Sequence, residues 1–451
     1  MSSLIVIGGG SGGVRAARIA ATHGARVVLI EEHKVGGTCV HAGCVPKKLL
    51  VYAAQHARAL RHAEHYGFAP VSPPPHSWRS LLATVTAETA RLGTIYERNL
   101  EVAGVTIKRG TAQLIDARSV QLGSEVLRAE HIVIATGARP LIPDIPGKKL
   151  GQTSDDVFRM PELPRRVVIV GGGYIALELA CLMAPLGAHV TVVQRGPRVL
   201  TEHDDDLSKH MAVELPAQGI ELVLNAQAIA VEPAVADGAK RVVLDTGAML
   251  ECDAVFFATG RVPRSDGLGL ERAGVELDEE GAIRTDRYGA TNVPGIHAIG
   301  DVTRRLQLTP VAIAEGHALA DTLFGGMRRS VHDQLVPTAV FCDPEVATVG
   351  ETERAARARG VVVDIYRANF RPLEHAIDKS PARALVKLVV DRASQRLLGC
   401  HIAAPNAAEV IQGFAAAMTA GVTKPQLDET IGLHPTIGEE LLTLRRAIPD
   451  V

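Results

Sequence analysis

One local pattern occurs twice in this chain and limits what it can fold into. Leu4-Ile5-Val6-Ile7 runs into Gly8-Gly9-Gly10-Ser11-Gly12-Gly13, and Val167-Val168-Ile169-Val170 runs into Gly171-Gly172-Gly173-Tyr174-Ile175-Ala176. A short apolar run ended by glycines reads as a strand buried on both faces of a parallel sheet. Small-residue helices over 14–23 and 177–186, and second strands over 26–30 and 189–193, complete two βαβ units of the dinucleotide-binding kind. In the first unit Gly8 makes the tight turn, Gly10 admits a pyrophosphate to the backbone, and Gly13 lets helix and strand close up. The helix N-terminus then faces the phosphates. Both units end alike, at Ala135-Thr136-Gly137 and Ala258-Thr259-Gly260, so the chain reads as an internal duplication that binds two nucleotides.

The two second strands end differently. Glu31 can accept hydrogen bonds from a ribose diol, and its charge disfavours a 2'-phosphate. In the second unit the strand runs into Gln194-Arg195, and a guanidinium can pair bidentately with that phosphate. NADPH is therefore expected there, and Ala176 in place of a third glycine fits the same choice. A solvated surface arginine would read alike at 195.

Residues 36–48, GGTCVHAGCVPKK, lie just beyond the first unit. Cys39 and Cys44 are five apart among Gly36, Gly37 and Gly43, so the backbone can bring the sulfurs together. Lys47 and Lys48 follow within one helical turn, where positive charge favours a thiolate. The bland alternative is two unrelated buried thiols. Cys181, Cys252, Cys342 and Cys400 stand singly in apolar segments and are expected in the core.

At 451 residues the chain exceeds one core, and its net charge of -2 gives no sign of a nucleic-acid partner. The first strand begins too early for a signal peptide, and no apolar run reaches about 18 residues, so a cytoplasmic location is expected. Residues 49–99 read as mostly helical, broken by a turn at Pro73-Pro74-Pro75, and 105–134 as short antiparallel strands. A strand over 291–301 delivers Asp301 to a tight turn, where it could bond a ribityl chain or cap a helix over 309–324. Residues 335–451 read as a separate α+β domain. Its strands are expected near 339–349, 361–367, 384–390 and 397–403, and its helices over 351–359, 407–420 and 425–431. Near its end, His434 could protonate a leaving thiolate while Glu439 holds the imidazole in one tautomer.

Together GGGSGGVRAAR, GGTCVHAGCVPKK, GGGYIALELA, TNVPGIHAIGD and HPTIGEE resemble the pyridine nucleotide-disulfide oxidoreductases, and within them the glutathione reductases, over nearly the whole chain. The resemblance implies an α/β fold with two dinucleotide-binding (Rossmann-like) domains and a C-terminal α+β dimerisation domain. Its boundaries would be 1–140 and 264–334 for FAD, 141–263 for NAD(P)H and 335–451 for the interface. It implies FAD bound around Gly8, Gly10, Ser11, Gly13, Glu31, Thr38, Cys39, Lys47, Ala112, Gly137, Asp301 and Thr309. NADPH would lie on Gly171, Gly173, Tyr174, Ile175, Glu178, Arg195 and Gly260, with Tyr174 as a movable lid and Lys47 and Glu178 as an ion pair near the flavin. Hydride would pass from nicotinamide to flavin and electrons on to a Cys39-Cys44 disulfide. Cys39 matches the sulfur that attacks the substrate, Cys44 the one that faces the flavin. His434 and Glu439 match acid-base residues lent by the other subunit, so a homodimer is implied, and the His434-Pro435 bond is a candidate for the cis form.

Neighbouring families match less well. Lipoamide dehydrogenases typically carry Ser-Lys where this chain has Lys47-Lys48, and an acid where it has Gln194. Large thioredoxin reductases have a C-terminal redox pair, and no cysteine follows Cys400. Trypanothione reductases use an acid and a bulky aromatic where Arg15 and Arg18 stand. These arginines suit the carboxylates of oxidised glutathione, and Tyr96 matches a tyrosine that wedges between its halves. Two positions depart from the pattern. Thr201 replaces an arginine that commonly assists the 2'-phosphate, which weakens the expected NADPH preference. His317 replaces an arginine on the substrate side, which makes substrate affinity pH-dependent. Two alternatives stay open: a reductase of another small disulfide or of lipoamide, and a non-catalytic flavin redox sensor. The sensor leaves Lys47, Glu178, His434 and Glu439 without a task. No metal, nucleic-acid or membrane partner is expected.

Overall fold

Ser3–Ile7 is the central strand of a five-stranded parallel sheet, ordered Ile296–Ala298, His131–Ile134, Ser3–Ile7, Arg26–Glu31, Thr106–Arg109. The computed structural model that shows this describes residues 2–69, 76–234, 238–378 and 380–449, and the turn expected at Pro73-Pro74-Pro75 lies outside them. Chain contacts divide the protein into two units. One comprises Met1–Leu49, Arg79–Leu141 and Gly260–Asp333, the other Leu50–Trp78, Ile142–Thr259 and Gln334–Val451.

In the first unit the period-two alternation of a strand sends Leu4 and Val6 into one core and Ile5 and Ile7 into another. Leu4 and Val6 pack with Val14 and Ala17 of the Ser11–Thr22 helix, Leu100 of the Trp78–Val102 helix and Leu319 of the Thr309–Phe324 helix. Ile5 and Ile7 pack with Leu114 and Val120 of a three-stranded antiparallel sheet formed by Ala112–Asp116, Ser119–Leu122 and Glu125–Arg128. The antiparallel reading of 105–134 holds for these three strands. It fails for Thr106–Arg109 and His131–Ile134, which join the parallel sheet; in the latter, Ile132, Val133 and Ile134 are buried. The strand expected over 291–301 is confined to Ile296–Ala298, between Gly295 and Gly300 in left-handed conformations. The Ser11–Thr22 and Thr309–Phe324 helices cross at close range, because a Cβ on Gly316 would lie 2.5 Å from the Gly12 carbonyl oxygen.

The second unit repeats the plan. Its parallel sheet runs Glu221–Leu224, His189–Gln194, Arg166–Val170, Ala254–Phe257, Gln152–Thr153, with Ala228–Pro233, Lys240–Leu244 and Met249–Cys252 as the antiparallel addition. The Tyr174–Met183 helix begins directly at the glycine turn, three residues earlier than the apolar run suggests. This unit also holds a five-stranded antiparallel sheet, Thr338–Val340, Val346–Gly350, Leu397–Ala403, Ala384–Asp391, Val363–Phe370. Val386, Leu388 and Ile402 of that sheet pack on Ile411, Ala415 and Leu441 of the helices that follow. The last helix, Ile437–Leu442, is too short to carry a readable period; its signal is the capping box of Thr436 and Glu439.

The buried Lys387 of the second unit is met by three carboxylates. Lys387 Nζ donates to Asp204 and Asp206 at 2.8 Å and to Glu353 at 2.7 Å. The ammonium thus ties the start of the Asp205–Ala217 helix to the C-terminal sheet. Among the described residues, no helix is long and apolar enough to cross a membrane.

Candidate active site

Cys39 and Cys44 stand together as thiols at the edge of the first dinucleotide fold. Gly36 and Gly37 take left-handed conformations, Gly36 N donates to Gly9 O at 2.8 Å, and a Cβ on Gly37 would lie 2.7 Å from Gly10 Cα. The cysteine loop is thereby laid directly on the first glycine turn. Cys39 is half-buried in the short helix Gly37–His41, and Cys44 is exposed as the first residue of the helix Cys44–His62. Cys44, Thr309 and Ser11 all lie within electrostatic reach of Cys39, and Cys44 Sγ lies 3.5 Å from Thr309 Oγ1.

Ser11, Cys44 and Thr309 are each the first residue of a helix, so three positive helix ends converge on the sulfurs. The hydrogen bond to Cys44, and then burial, push the Cys39 thiol far above its ordinary range, against the opposite pull of Thr309 and Ser11. The pair therefore holds a proton more tightly than an isolated thiol does. Cys44 stands at a helix head that also carries Lys47 and Lys48. Burial raises the other four thiols as well, Cys181 to about 12 and Cys252 to about 11, as suits core residues.

His41, between the two cysteines, is a residue that motif reading passed over. Its Nε2 donates to Val35 O at 2.8 Å, and its ring fills the space left by Gly93, where a Cβ would meet Cε1 at 2.9 Å. The signal was a histidine inside the loop and a glycine inside a helix, and nothing in sequence joins them.

The first glycine turn fits a nucleotide. Gly8 takes φ +104°, and a Cβ there would strike the Ala135 carbonyl oxygen at 2.4 Å, whereas a Cβ on Gly10 would meet nothing within 4 Å. Gly10 thus leaves open backbone at the helix N-terminus where a pyrophosphate would lie. Glu31 Oε2 accepts from Gly9 N at 2.6 Å and Oε1 from His33 N at 2.8 Å, which fixes the carboxylate at the strand end. Burial lifts the Asp301 carboxyl above its usual range, with Arg261 opposing it, and among the described residues nothing hydrogen-bonds that carboxylate. A half-buried acid whose oxygens no described residue hydrogen-bonds is suited to hydroxyl donors from a bound group. The neighbouring Gly300 N is held by Glu315, which accepts at 2.7 Å. Ala112 is buried in its strand, Thr38 is exposed, Lys47 is half-buried, and Gly137 is left-handed.

The second turn copies the first at Gly171, which takes φ +123° and abuts the Ala258 carbonyl, and at Gly173, where a Cβ would again meet nothing. Tyr174 is 42% exposed at the helix start, Ile175 is half-buried, Ala176 is fully buried, and Gly260 is left-handed. Glu178 is buried and accepts from Phe341 N at 3.0 Å. Arg195 is exposed and, among the described residues, forms no ion pair.

His434 Nδ1 lies 3.0 and 3.2 Å from the two oxygens of Glu439, which also accepts from Thr436 N at 3.0 Å. A carboxylate can only accept, so Nδ1 carries the proton and Nε2 is the free nitrogen, on a side chain 83% exposed. The His434-Pro435 bond is cis. Arg15 and Arg18 are half-buried on the Ser11–Thr22 helix and form no ion pair among the described residues, and Tyr96 packs partly into the first core. His317, expected toward a substrate, has a side chain 38% exposed. Its Nε2 lies 3.7 Å from the buried Asp321, which also takes His23 at 2.9 Å and Arg329. Among the described residues no group of histidine, cysteine and acid side chains could hold a metal.

Comparison with known proteins matches residues 2–316 to the family model described as pyridine nucleotide-disulphide oxidoreductase, and residues 336–445 to that family's dimerisation domain. The chain is similar to a glutathione reductase of Burkholderia cepacia, with 50% identity over 442 residues and 98% of each chain covered. It is 41% identical over 457 residues to a glutathione reductase of Nostoc sp., covering 98% of this chain and 99% of the other. Among solved structures it resembles the HOCl-induced flavoprotein disulfide reductase RclA from Escherichia coli, with a TM-score of 0.88, 30% identity, and 98% and 99% of the two chains covered.

Proposed function

The chain belongs to the pyridine nucleotide-disulphide oxidoreductase family, and from that membership we propose how its residues act as a glutathione-disulfide reductase. It is a homodimeric flavoprotein that uses FAD and NADPH to reduce oxidised glutathione to two molecules of glutathione. Bound FAD supplies the two-electron relay between nicotinamide and sulfur. We assign it to residues 1–140 and 264–334, NADPH to 141–263 and the subunit interface to 335–451. Gly8, Gly10, Gly13 and Glu31 hold the flavin nucleotide, and Asp301 accepts from its ribityl hydroxyls. Gly171, Gly173, Ile175 and Arg195 take the nicotinamide nucleotide, with Tyr174 as the lid.

His434 of one subunit serves the thiols of the other. Its Nε2 takes the proton of the Cys39 thiol, and the Cys39 sulfur attacks one sulfur of oxidised glutathione. The substrate S–S bond breaks, and His434 returns the proton to the departing thiolate. Cys44 then attacks the Cys39 sulfur, releases the second glutathione and closes a Cys39-Cys44 disulfide, which two electrons reopen. Arg15 and Arg18 pair with the substrate's carboxylates, and Tyr96 stands between its halves. A cytoplasmic location agrees with four single buried cysteines, which a reducing compartment keeps as thiols.

The observation that carries this reading is the cluster of Cys39, Cys44, Ser11 and Thr309 on the first glycine turn. It is tested by the ratio of catalytic efficiencies with NADPH and NADH, with oxidised glutathione as acceptor, in native protein and Cys39→Ser. A yellow protein that favours NADPH and loses turnover with Cys39→Ser supports it, and undiminished turnover overturns it.

A further inference from the structure

We propose that Arg198 is the second cation that binds the 2'-phosphate of NADPH, taking over the charge that Thr201 cannot supply. This rests on the NADPH reading above. Ligands of an open α/β sheet lie beyond the carboxyl ends of its strands, and residues 195–200 form the loop that leaves the His189–Gln194 strand there.

At the matching place in the first fold, Glu31 turns back to the glycine turn and accepts from Gly9 N. Gln194 likewise lies against its glycine turn, where a Cβ on Gly172 would meet its Cδ at 2.9 Å, but its Nε2 donates to the Arg198 carbonyl at 3.0 Å and curls the loop on itself. Two more bonds hold the curl. Asn225 N donates to Gly196 O at 3.1 Å, and Leu200 N donates to Gly172 O at 2.8 Å, fastening the loop to the second glycine turn. Leu200 takes φ +50°, a conformation a branched residue adopts only when its surroundings impose it. The loop is therefore fixed before any nucleotide arrives, with one arginine at each end of the curl.

The charges on the loop fit a dianion. Arg198 Nη1 pairs with Asp205, and Asp205 also takes Arg354 at 2.7 Å, so two guanidiniums share one carboxylate. Arg354 donates as well to the Thr201 carbonyl at 3.2 Å, so position 201 is tied down through its backbone and offers only a short neutral side chain. A guanidinium has five N–H donors, and the pair with Asp205 engages Nη1, so the others remain for a phosphate while Asp205 keeps the group in place. Arg195, which forms no ion pair among the described residues, supplies the other cation.

The test is equilibrium titration of the holoenzyme with adenosine 2',5'-bisphosphate and with 5'-AMP, for native protein, Arg195→Ala, Arg198→Ala and Arg198→Lys. Arg198→Ala is expected to weaken the bisphosphate roughly tenfold and leave 5'-AMP unchanged, the latter reporting an intact fold. Arg198→Lys, which keeps the charge and loses the fork, is expected to fall between. An Arg198→Ala effect that is missing, or equal for both ligands, overturns the inference while selectivity at Arg195 leaves the NADPH reading standing. Native protein that does not distinguish the two ligands overturns both.

Discussion

The Sγ of Cys44 lies 3.5 Å from the Oγ1 of Thr309, so the first residues of two separate helices touch at the redox pair. Thr309 also reaches Cys39 and favours its thiolate. Thr309→Val removes that donor and keeps the shape. A hydrogen bond of about 1 kcal/mol predicts a roughly fivefold slower alkylation of the reduced pair at fixed pH, with the pH profile displaced upward. A profile that does not move would show that the hydroxyl leaves the thiolates unaffected.

His434 holds its Nδ1 proton against Glu439. Replacing His434 with Ala removes the proton carrier, and turnover with oxidised glutathione should drop by roughly 10²–10⁴. Glu439→Gln, which keeps an acceptor for Nδ1 and loses the charge, should cost less. Rapid-mixing measurement of flavin reduction by NADPH should be unchanged in both, since neither residue takes part in that half-reaction; slowed flavin reduction would contradict the assignment.

Gly93 and His41 are complementary in size. In an open helix Gly93→Ala would stabilise by about 1 kcal/mol. Here the added methyl meets the imidazole at 2.9 Å, and overpacking should turn the change into a net loss of about 1–2 kcal/mol in urea unfolding. In the double variant His41→Ala with Gly93→Ala, the alanine at 93 should regain its helix benefit. Additive effects in the double variant would refute the contact.

His401 is fully buried. Its Nε2 donates to the Glu351 carbonyl at 3.0 Å and its Nδ1 accepts from the Thr348 hydroxyl, so both nitrogens are spent in the neutral form. Burial pulls its pKa down to about 4, with Asp204 and Lys387 facing it with opposite effects. Between pH 4 and 6.5 the unfolded chain binds a proton that the folded chain refuses. The stabilisation is full above pH 6.5 and is lost as pH falls toward 4, by about 3 kcal/mol. His401→Gln should flatten the fall in urea midpoint across that range. An unchanged slope would place the acid sensitivity elsewhere, His297 being the first place to look, since burial takes it to about 4 as well.

Lys387→Met leaves the buried Asp204 without its cation, while Asp206 keeps Arg367 and Glu353 keeps Arg357. The expected cost is about 3–5 kcal/mol, read as a lowered Tm, with partial recovery when Asp204 is also changed to Asn. A Tm within a degree or two of native would mean that the acids reach water.

The glycine turns, the cysteine pair and the His434-Glu439 couple were legible because each is local: strand, turn and helix follow one another, and the reacting atoms lie within a few residues. What stayed hidden depends on distant partners. Nothing in the sequence shows that His23, His317 and Arg329 gather on Asp321. Thr106–Arg109 reads like its antiparallel neighbours, and only its pairing with Arg26–Glu31 makes it parallel. Gln194 could be seen as a missing acid, but its grip on the Arg198 carbonyl could not.

Beside the exposed His434 lie Ile431 and Leu433, 94% and 75% open to water in the single chain. Greasy side chains at such a place ask to be covered, and what covers them would bring the proton donor to its work. Activity per chain should then fade on dilution while the yellow colour persists, because separation would strip a protomer of its acid and leave its pigment.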